Sequence, residues 1–226
     1  MPTIVADLMG RFDQVTQDLG SVRWTTQVRV DWLNEAYRVA TVLRPDVTAT
    51  TAVVTLAAGH RQRLQDAASV NLPTAYLMLD CIANAGPKKG RIQRGSQAVL
   101  DSVLPNWRDT PPSTKIDLWL FEDRNPREFL VYPPALAGVQ VELLYSAMPA
   151  AHAIQENMTS ILAESIKIHE AYAPALLDYL LYRAYLMDTD SQANLLRSQM
   201  HYQAFTQGIT GKTQADQASS PNVAST

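Results

Sequence analysis

Apolar residues recur at three- and four-residue intervals near both ends of the chain and at two-residue intervals through its middle, so helices flank a strand-rich centre. The densest helical pattern lies at 172–205. Leu176, Leu177, Leu180, Ala184 and Met187 share one stripe, and Pro174 stands in the first turn, where its missing N–H removes no helical bond. Asp188-Thr189-Asp190 then breaks the pattern with short polar side chains suited to an N-cap. Ala193, Leu196, Met200 and Ala204 predict the buried face of a second helix, which Gly208 is placed to end. A connection this short makes the two helices antiparallel neighbours. An ordinary core hairpin accounts for this spacing. Tyr179, Tyr182, Tyr185 and Tyr202 add aromatic area with polar tips, which also suits self-association with other copies of the chain.

From the other end, Ile4, Leu8, Phe12, Val15 and Leu19 predict a helix over 3–19, closed by Gly20. A second helix is expected over 26–43, with Val28, Trp32, Leu33, Ala36, Val39, Ala40 and Leu43 inward. Thr25 or Thr26 caps it and Pro45 stops it. Trp24 and Trp32 read as core anchors. In the middle, the β-branched run 50–56 predicts a strand, with 60–64 as its returning partner. The turn formers at 84–90 make 75–83 and 91–95 a hairpin, and Ser96 opens a short helix reaching Leu104. Residues 115–121, 128–132 and 139–145 predict a three-strand antiparallel meander. The segment 148–169 has no dominant period. From Gly211 onward Gln, Ala, Ser, Thr and Asn leave little to bury, and this stretch is expected to be disordered in isolation. The fold class is therefore α+β: a helical bundle from 1–47 and 165–208, a β-rich insertion at 48–164 and a flexible tail at 209–226.

Composition narrows the function. A chain of 226 residues can bury a sizeable core, and its net charge of −3 disfavours a free-standing binder of duplex DNA. Charged residues make up 18%, below the ~25% of typical soluble domains, which is compatible with a surface covered by other protein copies. Cys81 is the single cysteine, has no disulfide partner within the chain, and reads as core. The most apolar stretch, 173–187, is interrupted by Asp178 and Arg183, so no membrane span is expected. The start, Met1-Pro2-Thr3-Ile4, carries no basic, signal-like segment.

Candidate chemistry is sparse. The four histidines, at 60, 152, 169 and 201, have no ligand spacing, and no Cys-x-x-Cys or phosphate loop occurs. Asp117, Glu122 and Asp123 are the nearest approach to a carboxylate group, at positions where a strand and turn normally carry charge. No catalytic residue, metal or cofactor is expected. Lys88, Lys89, Arg91 and Arg94 form the one basic cluster. It reads as a solvated hairpin tip or as a salt-sensitive contact with DNA phosphates, without interleaved aromatics for stacking.

Four signatures occur in order: Val22-Arg23-Trp24-Thr25 with Trp32-Leu33-Asn34-Glu35-Ala36; Leu43-Arg44-Pro45-Asp46; Phe129-Leu130-Val131-Tyr132-Pro133-Pro134; and Tyr172-Ala173-Pro174-Ala175-Leu176-Leu177-Asp178-Tyr179 followed by Tyr182-Arg183-Ala184-Tyr185. Together, over about residues 20–208, the chain resembles the head-to-tail adaptors (tail tubular protein A-like) of short-tailed bacteriophages. The resemblance implies a virion structural protein without enzymatic activity. It implies a dodecameric ring beneath the portal protein that extends the DNA channel and carries the tail nozzle. Its partners would then be portal, nozzle, copies of itself and passing genomic DNA, with no membrane. It would reside in the virion neck, and in the host cytoplasm before assembly. By the same resemblance a C-terminal extension grips the portal, here with Lys212, Gln214, Asp216 and Val223. The alternatives are a head-completion or stopper connector of another tail type, or a tail-associated hydrolase.

Overall fold

The computed structural model of the chain describes residues 2–86, 89–122, 124–153, 158–188 and 191–219, with side chains through Gly211. In order run α1 (Val5–Thr16), α2 (Thr26–Leu43), β1 (Ala49–Thr55), β2 (Gly59–Arg63), β3 (Ala75–Asn84), β4 (Gly90–Arg91), β5 (Gln93–Gly95) and α3 (Gln97–Val103). They are followed by β6 (Leu118–Phe121), β7 (Glu128–Ala135), β8 (Gln140–Ala147), α4 (Met158–Ala163), α5 (Ala173–Met187) and α6 (Gln192–Ser219). The fold is α+β, as expected from the pattern. It divides into a helical unit, Met1–Val47 with Pro149–Thr226, and a strand unit, Thr48–Met148.

In the helical unit α1 buries Val5, Leu8, Met9 and Phe12. Val15 and Leu19 do not continue that stripe: they are 49% and 77% exposed. The helix stops at Thr16, Gln17 turns left-handed at φ 57°, and the helical period is lost. Asp18 gathers the chain again, accepting N–H bonds from Val22, Arg23 and Trp24. Thr25 caps α2 by accepting from the Val28 N–H at 3.4 Å. Trp24 and Trp32 are core residues, as their size suggests. The buried Arg29 joins α2 to α1 through Asp13 and holds Ser21 of the intervening loop.

Sequence reading places 149–164 with the strands, yet Ile161 of α4 lies fully buried in the helical core. The N-terminus draws this segment in. Val5 donates to the Glu164 carbonyl at 2.9 Å and Ile166 donates to the Thr3 carbonyl at 3.1 Å. Two short extended pieces are thereby paired, a contact invisible to periodicity.

The strand unit holds two four-stranded sheets, ordered β1-β8-β3-β4 and β2-β7-β6-β5. They enclose one core containing Met78 and Cys81 from the first sheet and Trp119, Phe129 and Val131 from the second, with Val141 and Leu143 of β8. Three expectations change here. β2 pairs with β7, not with β1, which pairs with β8. The hairpin survives only at its tip, as Ala83↔Arg91 and Asn84↔Gly90, because β5 joins the other sheet parallel to β6. The meander breaks after β7, where Gly138 (φ 86°) helps carry the chain into the other sheet. Both β7 and β8 thus offer an apolar face to the shared core, which a single meander sheet could not enclose.

Trp119, which alternates with Leu118 and Leu120 along β6 and would by strand period face away from them, is 1% exposed. Its ring enters the shared core, while Leu120 on the opposite face packs with Leu100, Trp107 and Leu130. With both faces covered, β6 carries no polar alternation.

Candidate assembly surfaces

The hairpin of α5 and α6 is built as anticipated in outline and differently in rotation. The side of α6 that packs inward carries Ser198, Phe205 and Ile209, with Asn194 and His201 half-buried. The side chosen from sequence is the outer one: Ala193 and Ala204 are exposed, Leu196 is 56% exposed and Met200 68%. Both sets have helical spacing, and each residue turns the helix by ~100°, so a one- or two-residue offset selects the other face. Gly208 does not end the helix, which continues to Ser219. It marks the crossing with α5, where an added Cβ would come within 2.9 Å of the Ala175 Cβ. Residues 211–219, within the stretch expected to be disordered in isolation, continue the backbone of α6.

Of the four tyrosines read as self-association residues, Tyr179 belongs to the core. It is 2% exposed, its ring lies 4.9 Å from Phe205, and burial pushes its phenol pKa up. Tyr182 and Tyr185 are half-buried. The Tyr182 and Tyr202 rings meet at 5.0 Å, and Tyr185 stacks on His201, whose Nδ1 lies 2.9 Å from Asp178. Tyr202 is 40% exposed and borders a shallow groove of about 290 Å³ shared by Tyr182, Leu186 and Leu195. With Leu196 and Met200 these residues form an apolar outer surface on the hairpin.

The basic cluster is divided. Lys88 lies outside the described residues; Lys89 and Arg91 are exposed at the β3–β4 tip. They border a groove of about 610 Å³ whose other charges are Asp80 and Glu142, so its lining is of mixed sign. Arg94, on β5, lies over the Trp119 ring at 5.5 Å and the Phe121 ring at 5.9 Å. Asp117 pairs with Lys115 at 2.7 Å, Glu122 is half-buried and Asp123 lies outside the described residues. The proposed grip residues Lys212, Gln214 and Asp216 fall on the helical backbone of α6 beyond the described side chains, and Val223 lies outside the described residues.

One polar cluster went unread in the sequence. His152 is 1% exposed, with Nδ1 2.8 Å from the Glu164 Oε2 and Nε2 3.2 Å from the Tyr37 hydroxyl. Glu164 as acceptor keeps the proton on Nδ1, and Nε2 then accepts from Tyr37. The Asn34 side chain brackets the same residue, accepting its N–H at 2.9 Å and donating to its C=O at 3.2 Å. Burial holds the imidazole below its ordinary pKa, against the opposing pull of Glu164. Glu164 is lowered by its hydrogen bonds from Lys167 and then His152. Both ring nitrogens are thus engaged in tying 149–153 and α4 to α2, which is a structural assignment. Only the separation of 115 residues between His152 and Tyr37 hid it. Among the described residues no group of three or more His, Cys, Asp or Glu side chains is arranged to hold a metal ion. No described helix is long and apolar enough to cross a membrane.

Comparison with known proteins places these surfaces in context. No curated protein matches the chain. The family model described as SU10 adaptor protein matches residues 3–225, nearly the whole chain and both of its units. This agrees with the resemblance to phage head-to-tail adaptors carried by the Trp-Leu-Asn-Glu, Tyr-Pro-Pro and Tyr-Ala-Pro-Ala signatures, and the chain belongs to the SU10 adaptor protein family.

Proposed function

We propose that the protein is a ring subunit of the phage neck, seated beneath the portal, extending the DNA channel and offering the platform on which the tail nozzle assembles. The observation that carries this reading is the outer face of the α5–α6 hairpin, where Leu195, Leu196, Met200 and Tyr202 stand exposed beside an apolar groove. A subunit of a closed ring needs two different faces that meet head to tail, and an apolar helix face with aromatic edges suits one of them. Twelve copies make up the ring in this reading. Lys89 and Arg91, at a strand tip, supply weak, salt-sensitive contacts to DNA in transit, and the end of α6 with the residues after it engages the portal.

The test is electron microscopy of the purified protein with and without its portal. A ring seated on the portal, with no large ring formed by the protein alone, supports the proposal. Particles in which the portal vertex stays bare reject it.

A further inference from the structure

The sharpest unexplained feature of the strand unit is the outer edge of β1. β1 lies at one side of its sheet and pairs along its whole length with β8 alone, from Ala49↔Ser146 to Thr55↔Gln140, without a register shift. Leu56 continues that ladder, donating to the Val139 carbonyl at 2.8 Å. Residues of an antiparallel strand bond to their neighbour alternately, so Leu56, Val54, Ala52 and Thr50 bond inward. The N–H and C=O groups of Thr51, Val53 and Thr55 therefore point away from β8. Among the described residues no backbone group bonds to them. Thr51, Val53 and Thr55 also have exposed side chains, Val53 at 59%.

Soluble proteins blunt such an edge with charge, proline, a bulge or a cover. Among the described residues β1 has none of these: its pairing with β8 has no bulge, no backbone group bonds to its outer edge, and the run from Val47 to Ala58 contains no charged residue and no proline. The remaining edges are blunted or short. β3 carries three register shifts and Asp80 beyond its brief pairing with β4. β2 carries Arg61 and Arg63, and backbone bonds from Val70 and Leu72 reach Arg63 and Leu64. β4 and β5 are two and three residues long.

The strand best matched to β1 in length, regularity and absence of charge is therefore another β1. We propose that β1 pairs antiparallel with β1 of a second copy of this chain across a two-fold axis, joining two four-stranded sheets into one of eight. Outward-bonding residues can meet in several registers; the one proposed is centred on Val53, the exposed apolar residue among the three. Thr51 meets Thr55 of the second copy, and Val53 meets its own counterpart at the axis. No like charges are brought together, whereas self-pairing of β2 would set arginines near arginines. A two-fold contact cannot link neighbours within one cyclic ring. If the ring forms, the pairing is therefore made before assembly, where it protects the edge from indiscriminate pairing; the pairing itself does not require the ring.

Analytical ultracentrifugation of the full chain, alone, over a range of concentrations tests the pairing, alongside V53K and M200D. The expected result is a reversible dimer whose self-association V53K weakens at least about tenfold, with unchanged circular dichroism, by setting two lysines opposite each other. M200D is expected to leave the dimer intact. V53C is expected to form a dimer-linking disulfide on mild oxidation, since directly opposed residues of a hydrogen-bonded pair have Cα atoms ~5.5 Å apart. Cys81, buried and with its thiol pushed up to about 12, leaves that readout clean. A wild-type protein that stays monomeric throughout overturns the proposal. So does a dimer that M200D breaks and V53K does not, or a V53C protein that fails to cross-link.

Discussion

α5 and α6 lie side by side, yet they solve opposite problems. α5 buries Ala173, Ala175, Leu176, Tyr179, Leu180, Leu181 and Ala184 among the helices of its unit. α6 sends Phe205 and Ile209 inward with the small residues Ser198 and Gly208, and leaves Leu195, Leu196 and Met200 outside. α6 thus divides its apolar residues, with Phe205 and Ile209 in the core and Leu195, Leu196 and Met200 left to solvent. The difference teaches that α5 commits its apolar face to folding, while α6 splits its own between the core and an exposed face that the proposed assembly would cover.

Substitutions can break that contrast. Leu180→Ala removes a fully buried side chain of α5 and is expected to cost ~2–5 kcal/mol in denaturant melts. A neutral result would show that α5 is not the core helix. Gly208→Leu tests the crossing point, where a Cβ alone already approaches Ala175 too closely, and is expected to destabilise by ~1–3 kcal/mol. Unchanged stability would mean that α6 has room to stand off from α5.

A pH titration sharpens the comparison by probing the polar anchor of α4 instead of the apolar hairpin. The His152 pKa is depressed in the fold, so below its ordinary 6.5 the unfolded chain binds more protons and stability falls. Glu164 and Asp18 are also lowered, from 4.5 and 3.8. Their stabilisation is present above those values and is lost as the pH falls toward their folded-state values. Thermal melts are therefore expected to drop first below about pH 6.5 and again below about pH 4.5. His152→Gln should shrink the first drop to the part left by His60, whose pKa burial also holds below 6.5, and keep the second. The smallest effect on folding is expected from Met200→Asp, within ±0.5 kcal/mol, because the side chain is 68% exposed. Its consequence should appear in weaker ring formation on the portal, measured by co-sedimentation.

The legible parts of this chain are those where one local force decides. The span of α2 was readable because each end carries its own local signal, a threonine cap at the start and Pro45 at the stop, with the apolar stripe between them. Trp24, Trp32 and Leu180 were readable as core because large apolar side chains are costly to expose. The family signatures were readable because they are contiguous. On the candidate surfaces, the tyrosines of the hairpin were visible but their division was not: Tyr179 went to the core and Tyr202 to the surface.

Sequence by itself determined the helical ends, the strand-rich centre and the membership of an adaptor family. Tertiary structure decided the rest: which face of α6 turns inward, which sheet receives β2 and β5, that His152 meets Tyr37 and Glu164, and that β1 is left with an open edge. The physical reason is common to all four. Periodicity specifies that a face exists, while the partner that fills it comes from residues far away in the chain, and only close packing in three dimensions selects among partners of equal local merit.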